Sequence, residues 1–134
     1  MASVCVLSAL IEIAFSHISD PPEHFVEVLV AVRANHLKLM LDLLEPGGVG
    51  VLICDFVSSE SLAELLTETD IMPLIKEAIE NRNHFHGVAP SLVANVFNQP
   101  PIAGMATNIR ATQSWRWHTA DKVYACYGMV FEKV

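Results

Sequence analysis

The stretch LDLLEPGGVGVLICDF, residues 41 to 56, constrains the fold more than any other part of the chain. Residues 49 to 54 are unbroken apolar sequence, and the run closes on Asp55 and Phe56. Continuous apolarity, in place of the alternation of a half-solvated strand, predicts a strand covered on both faces, as in a parallel sheet flanked by helices. What feeds the strand is equally informative. Pro46 disfavours helical geometry at Glu45, and Gly47 and Gly48 permit the positive φ of a tight reversal, so a helix ends near Glu45 and turns directly into the strand. Helix, turn and buried strand together are the middle of an α/β unit.

The helix that enters this turn is legible in its spacing. Apolar residues recur at Phe25, Val28, Leu29, Val32, Leu39, Met40 and Leu43, with His36 as a polar exception, while Glu23, Glu27, Lys38, Asp42 and Glu45 take the other side. That is an amphipathic helix of about six turns. Asp20, Pro21 and Glu23 have the spacing of a capped helix start. Further upstream, residues 3 to 8 (SVCVLS) read as a short buried strand and ALIEIAFSHI as a helix.

Downstream, Ser58 or Ser59 is placed to cap a helix carrying Leu62, Leu65 and Leu66. Pro73 opens a helix over PLIKEAIENRNH, Ser91 begins a short one over SLVANVF, and NQPPIAGMATN is a loop by its Pro, Gly and Asn content. Two β-rich runs, 112 to 118 and 122 to 132, flank the turn-like HTAD and predict a closing antiparallel hairpin.

Length and composition set the limits around these elements. The 134 residues suit one domain, residues 1 to 134. With 52% hydrophobic and only 17% charged residues, the chain is apolar for its size, which predicts that some apolar surface meets another protein. The net charge of -7, with no stripe of Lys or Arg, argues against nucleic acid. Cys5, Cys54 and Cys126 each sit among apolar neighbours without metal-ligand or redox spacing. They are expected to be reduced core residues, which favours the cytoplasm. The apolar start lacks a basic n-region and carries Glu12, so it is not read as a signal peptide. No apolar run approaches the ~18 residues that cross a bilayer, so no membrane is expected.

The order of elements, with LLEPGG at 43 to 48, VGVLICDF after it and a closing hairpin, resembles the C-terminal half of a class I S-adenosylmethionine-dependent methyltransferase. The resemblance implies an α/β fold: a partial Rossmann-like sheet whose strands correspond to the fourth to seventh of that family, ending in an antiparallel hairpin and flanked by helices. It also implies where the chain departs from the family. The family holds S-adenosylmethionine in its first half, on a glycine-rich loop after the first strand. The expectation is that this chain contains no G-x-G at all and has no room for three further strands before Ser3. S-adenosylmethionine is therefore implied by resemblance only, and binding by this chain alone is not expected.

By this alignment the crevice lies at the carboxyl ends of the strands, with Ser8 and Glu12 after the fourth strand, Asp55 and Phe56 after the fifth, and Trp117 and His118 near the hairpin. Asp55 reads either as a substrate contact or as a residue returning the strand to water; Glu12 reads as a general base or as a solvated helix position. In NRNHFHG, His84 and His86 stand two apart around Phe85 and read as a substrate-covering loop or as metal ligands, with no third ligand near them in the sequence. No catalytic residue and no metal site is assigned. Trp115 and Trp117 share one face of their strand, where core packing competes with stacking on a planar substrate.

Three functions follow from these expectations. The first is a methyltransferase-like domain, truncated and inactive alone. The second is a methyltransferase completed in trans by another chain. The third is a non-enzymatic module that forms a homo-oligomer or docks a partner through the sheet edge near Val4 and Val6.

Overall fold

The computed structural model describes residues 1–17 and 24–134. The capping residues Asp20, Pro21 and Glu23 lie outside the described residues. The fold is an open mixed sheet of five strands flanked by helices, in the order β1 (Ala2–Val4), β2 (Val49–Ser58), β5 (Val123–Lys133), β3 (Ala106–Ala111), with β4 (Trp115–His118) also paired to β5. β1 runs parallel to β2, whereas β5 is antiparallel to β2, β3 and β4.

The first strand is shorter than residues 3 to 8. Cys5 adopts a left-handed conformation with φ 53°, which ends β1 and turns the chain into helix α1 (Val6–Ser16). Leu7 and Ile11, one helical repeat apart, are its buried positions. A six-residue apolar run does not distinguish a strand from the first turn of a buried helix. Val6 is consequently a helical residue and does not belong to the sheet edge.

Helix α2 (Phe25–Asp42) has 18 residues, about five turns in place of six. Gly47 takes φ 78° and the Gly48 N–H bonds the Glu45 carbonyl at 2.8 Å, so the Pro-Gly-Gly turn delivers the chain to β2. A G-x-G spacing does occur, at Gly48-Val49-Gly50, against the expectation of none. It opens β2 at the end opposite the strand's carboxyl terminus, and a Cβ at Gly50 would overlap the Phe131 ring. These glycines serve a turn and a close packing contact.

Only one face of β2 is fully covered. Leu52, Cys54 and Phe56 are solvent-inaccessible and share the core with Tyr127, Met129 and Phe131 of β5, with Leu37, Met40 and Leu41 of α2 and with Val93 of helix α4 (Pro90–Val96). The alternate residues Val49, Val51, Ile53 and Asp55 are exposed or half-buried, which corrects the expectation of two covered faces. The antiparallel β5 explains the difference: the parallel-sheet argument applies only to the β1–β2 pair.

Beyond β2, Ser58 and Ser59 do not cap a helix. The Ser59 N–H bonds the Val123 carbonyl at 2.8 Å and its hydroxyl accepts the Val123 N–H at 3.1 Å, so the serine is committed to the sheet. A single 3₁₀ turn, Ala63–Leu66, follows. Helix α3 (Met72–Glu80) carries Pro73 in its first turn and α4 begins at Pro90, each start within a residue of the expected one, whereas α3 ends at Glu80, four residues short of the expected His84. The predicted loop 98 to 108 overlaps a strand. β3 starts at Ala106, and residues 112 to 114 form the break before β4, where the Thr112 hydroxyl accepts the Gly128 N–H at 2.8 Å. β3 is an exposed edge of polar character, so it lacks the apolar signal by which the other strands were found.

Candidate functional site

At the carboxyl ends of β1 and β2 the chain encloses an open cleft of about 800 Å³. The left-handed Cys5 and the start of α1 bring Ser8 and Glu12 to one wall, β2 contributes Asp55, and the segment after α3 brings His84, Phe85 and His86 across from them. Because β5 runs antiparallel, its first residues Lys122 and Tyr124 reach this same end.

Ser8 donates its hydroxyl hydrogen to Asp55 Oδ1. The bond fixes the carboxylate against α1 and leaves Oδ2 without a protein partner among the described residues. Glu60 pairs with Lys122 at 3.0 Å, and the Lys122 ammonium stands 5.9 Å from the centre of the Tyr124 ring. Hydrogen bonding to Glu60 raises the Lys122 pKa. The Phe15 ring lies 4.1 Å from that of Phe25, and His86 stands 5.8 Å from the first and 5.9 Å from the second. His86 is thus packed among rings, and His84 Nδ1 lies 3.0 Å from the Phe85 carbonyl oxygen.

The wall formed by residues 83 to 88 is held from beneath. The Phe85 N–H bonds the Phe56 carbonyl at 2.6 Å, Asn83 Nδ2 donates to the Ser61 carbonyl at 3.0 Å, Arg33 Nη1 donates to the Gly87 carbonyl at 3.0 Å, and the buried Tyr127 hydroxyl donates to the Val88 carbonyl at 2.6 Å. Tyr127→Phe keeps the ring and leaves that carbonyl unpaired in the core. The substitution is expected to cost about 1–3 kcal/mol, read from urea unfolding; an unchanged midpoint would show that the carbonyl finds another donor.

Ser8, Glu12, Asp55, His84 and His86 therefore share one cleft. Phe56 does not reach it. Its ring is fully buried on the opposite face of β2, packed near Tyr127 with ring centres 6.1 Å apart. Trp117 and His118 lie away from the cleft lining on β4, paired with Tyr124 and Val123, and both are exposed. Arg116, between the two tryptophans, donates Nε to the Leu65 carbonyl at 2.8 Å and so ties β4 to the 3₁₀ turn. Cys5, Lys122 and Tyr124 were missed. Cys5 is half-buried and faces the cleft, unlike the buried Cys54 and Cys126. The hairpin itself was the available signal for Tyr124, since an antiparallel return must bring its start to the carboxyl end of β2.

Among the described residues no group of three or more His, Cys, Asp or Glu side chains is placed to hold a metal ion. Compared with family models, with curated proteins and with solved structures, the chain matches none. The G-x-G spacing stands at the amino end of β2, away from the cleft, and the space over Gly50 is filled by Phe131. Among the described residues no helix is long and apolar enough to cross a membrane.

Proposed function

We propose that this chain is a methyltransferase-like domain that carries the acceptor-facing wall of a transfer site and does not bind S-adenosylmethionine by itself. The observation that carries the reading is the strand order β1-β2-β5-β3, in which the Pro-Gly-Gly turn feeds β2, the terminal hairpin strand returns antiparallel beside it, and the cleft opens at the carboxyl ends of β1 and β2. The bonded pair Ser8 and Asp55 lines the same cleft as the rings of Phe85 and Tyr124, a mix that suits orientation of a partly apolar acceptor. Free thiols at Cys5, Cys54 and Cys126 suit a cytoplasmic setting.

Isothermal titration of S-adenosylmethionine into the purified chain tests this. No heat of binding is expected at micromolar ligand, because no glycine is among the described residues that line the cleft. Micromolar binding by a monomer would overturn the proposal.

A second reading is favoured by the free side of β1, which pairs with no strand other than β2 among the described residues and carries the exposed Val4. An open edge of this kind accepts another polypeptide. Either that polypeptide supplies the glycine loop and completes methyl transfer in trans, or the domain is a non-enzymatic docking or dimerisation module.

A further inference from the structure

We infer that the occupant of this edge is a second copy of the chain, related by a two-fold axis that pairs β1 antiparallel with itself and lays the outer stripe of α1 against its equivalent. This deepens the docking reading by naming the occupant. Hydrogen bonds from the Cys5 N–H to the Ile53 carbonyl and from the Val51 N–H to the Met1 carbonyl turn Met1 and Cys5, which flank β1, toward β2, and the period of a strand turns Ser3 the same way. By the alternation of a strand, the N–H and C=O groups of Ala2 and Val4 point to the open side. An antiparallel copy centred on Ser3 sets Ala2 against Val4 of the other copy twice over, satisfying both residues in each chain.

Three residues of strand are too few to hold two chains, and α1 supplies the rest. Val6, Leu10 and Ile13 recur at i, i+4 and i+7 and are exposed, Ile13 at 56%. They belong neither to the core, which takes Leu7 and Ile11 from the same helix, nor to the cleft, which takes Ser8 and Glu12. Charge selects the partner. β1 is uncharged and the only charge in α1 is Glu12, on the cleft side, whereas the whole chain carries -7. Two such chains repel wherever their acidic surfaces meet, and this apolar face, whose one adjoining charge is the Met1 ammonium held on the Val49 carbonyl, lets them approach without burying a carboxylate. A basic partner drawn to the acidic chain would find no countercharge here.

Sedimentation equilibrium on the purified chain at micromolar concentration tests the inference. The expected mass is twice 14.7 kDa, and L10E with I13E should return the single-chain mass with an unchanged circular dichroism spectrum. The milder pair L10S with I13S serves if the glutamates unfold the helix, and should raise the dimer dissociation constant at least about tenfold. V4P, which removes one outward N–H, should weaken association in the same direction. A wild-type mass of one chain, a double variant that stays dimeric, or a species growing without limit with concentration would each overturn the two-fold pairing. The heat of S-adenosylmethionine binding, measured on the same samples, bears on the cofactor reading alone, so the two fail separately.

Discussion

Gly50→Val is expected to lower the free energy of unfolding by about 3 kcal/mol, near the upper end for an overpacked core position. Gly50 and Phe131 are direct partners across β2 and β5, and a Cβ on Gly50 would overlap the phenylalanine ring. The ring has nowhere to go: it is solvent-inaccessible and packs on Phe97 with centres 5.1 Å apart. Phe131→Ala alone should cost about 3–5 kcal/mol through the cavity it leaves. In the double variant the valine occupies part of that cavity, so the combined loss should fall short of the sum by at least about 1 kcal/mol. Urea unfolding of the three variants measures this. Strict additivity would mean that the two residues do not share one volume.

That contact also shows why the sheet was legible and its environment was not. The β2 strand, the Pro-Gly-Gly turn and the closing hairpin each have a local signature, apolar continuity, a φ requirement or alternating β-rich runs, and each stands where the sequence places it. The second glycine of the G-x-G spacing has no local signature of its role, because Phe131 lies 81 positions away and meets it only in the antiparallel register. The same limit applies to the cleft. Ser8 and Asp55 were named separately from the strand ends, and their hydrogen bond depends on Cys5 turning left-handed to set the first turn of α1. Nothing in SVCVLS marks that turn, since a cysteine there is neither a glycine nor an asparagine. Trp117 and His118 were misplaced for the opposite reason: β4 pairs with the first residues of β5, but its own side chains are carried outside the cleft.

Alkaline conditions are expected to unfold the chain well before they would unfold a domain without buried acids. Burial pushes the Cys54 thiol from 9.0 up to about 12. The Cys126 thiol is raised by its hydrogen bond with Cys5 and by burial, and burial raises the Tyr127 phenol. All three groups keep their protons longer in the folded chain than in the unfolded one. Their contribution is thus fully present below about pH 9, where both states are protonated, and is lost as pH rises and the unfolded chain ionises first. For Cys54 alone the loss by pH 12 is on the order of 4 kcal/mol, a large share of the roughly 5–15 kcal/mol that stabilises a domain. The urea midpoint should be flat from pH 7 to 8 and fall steeply between pH 9 and 11 (about one unfolded-state pKa and above). Cys54→Ala should start from a lower midpoint, because a core atom is gone, yet decline with a slope smaller by about one proton. If the wild-type midpoint stayed level to pH 11, the thiols and the phenol would have to be reaching water in the native state, and the core formed by β2 and β5 would be more open than its geometry allows.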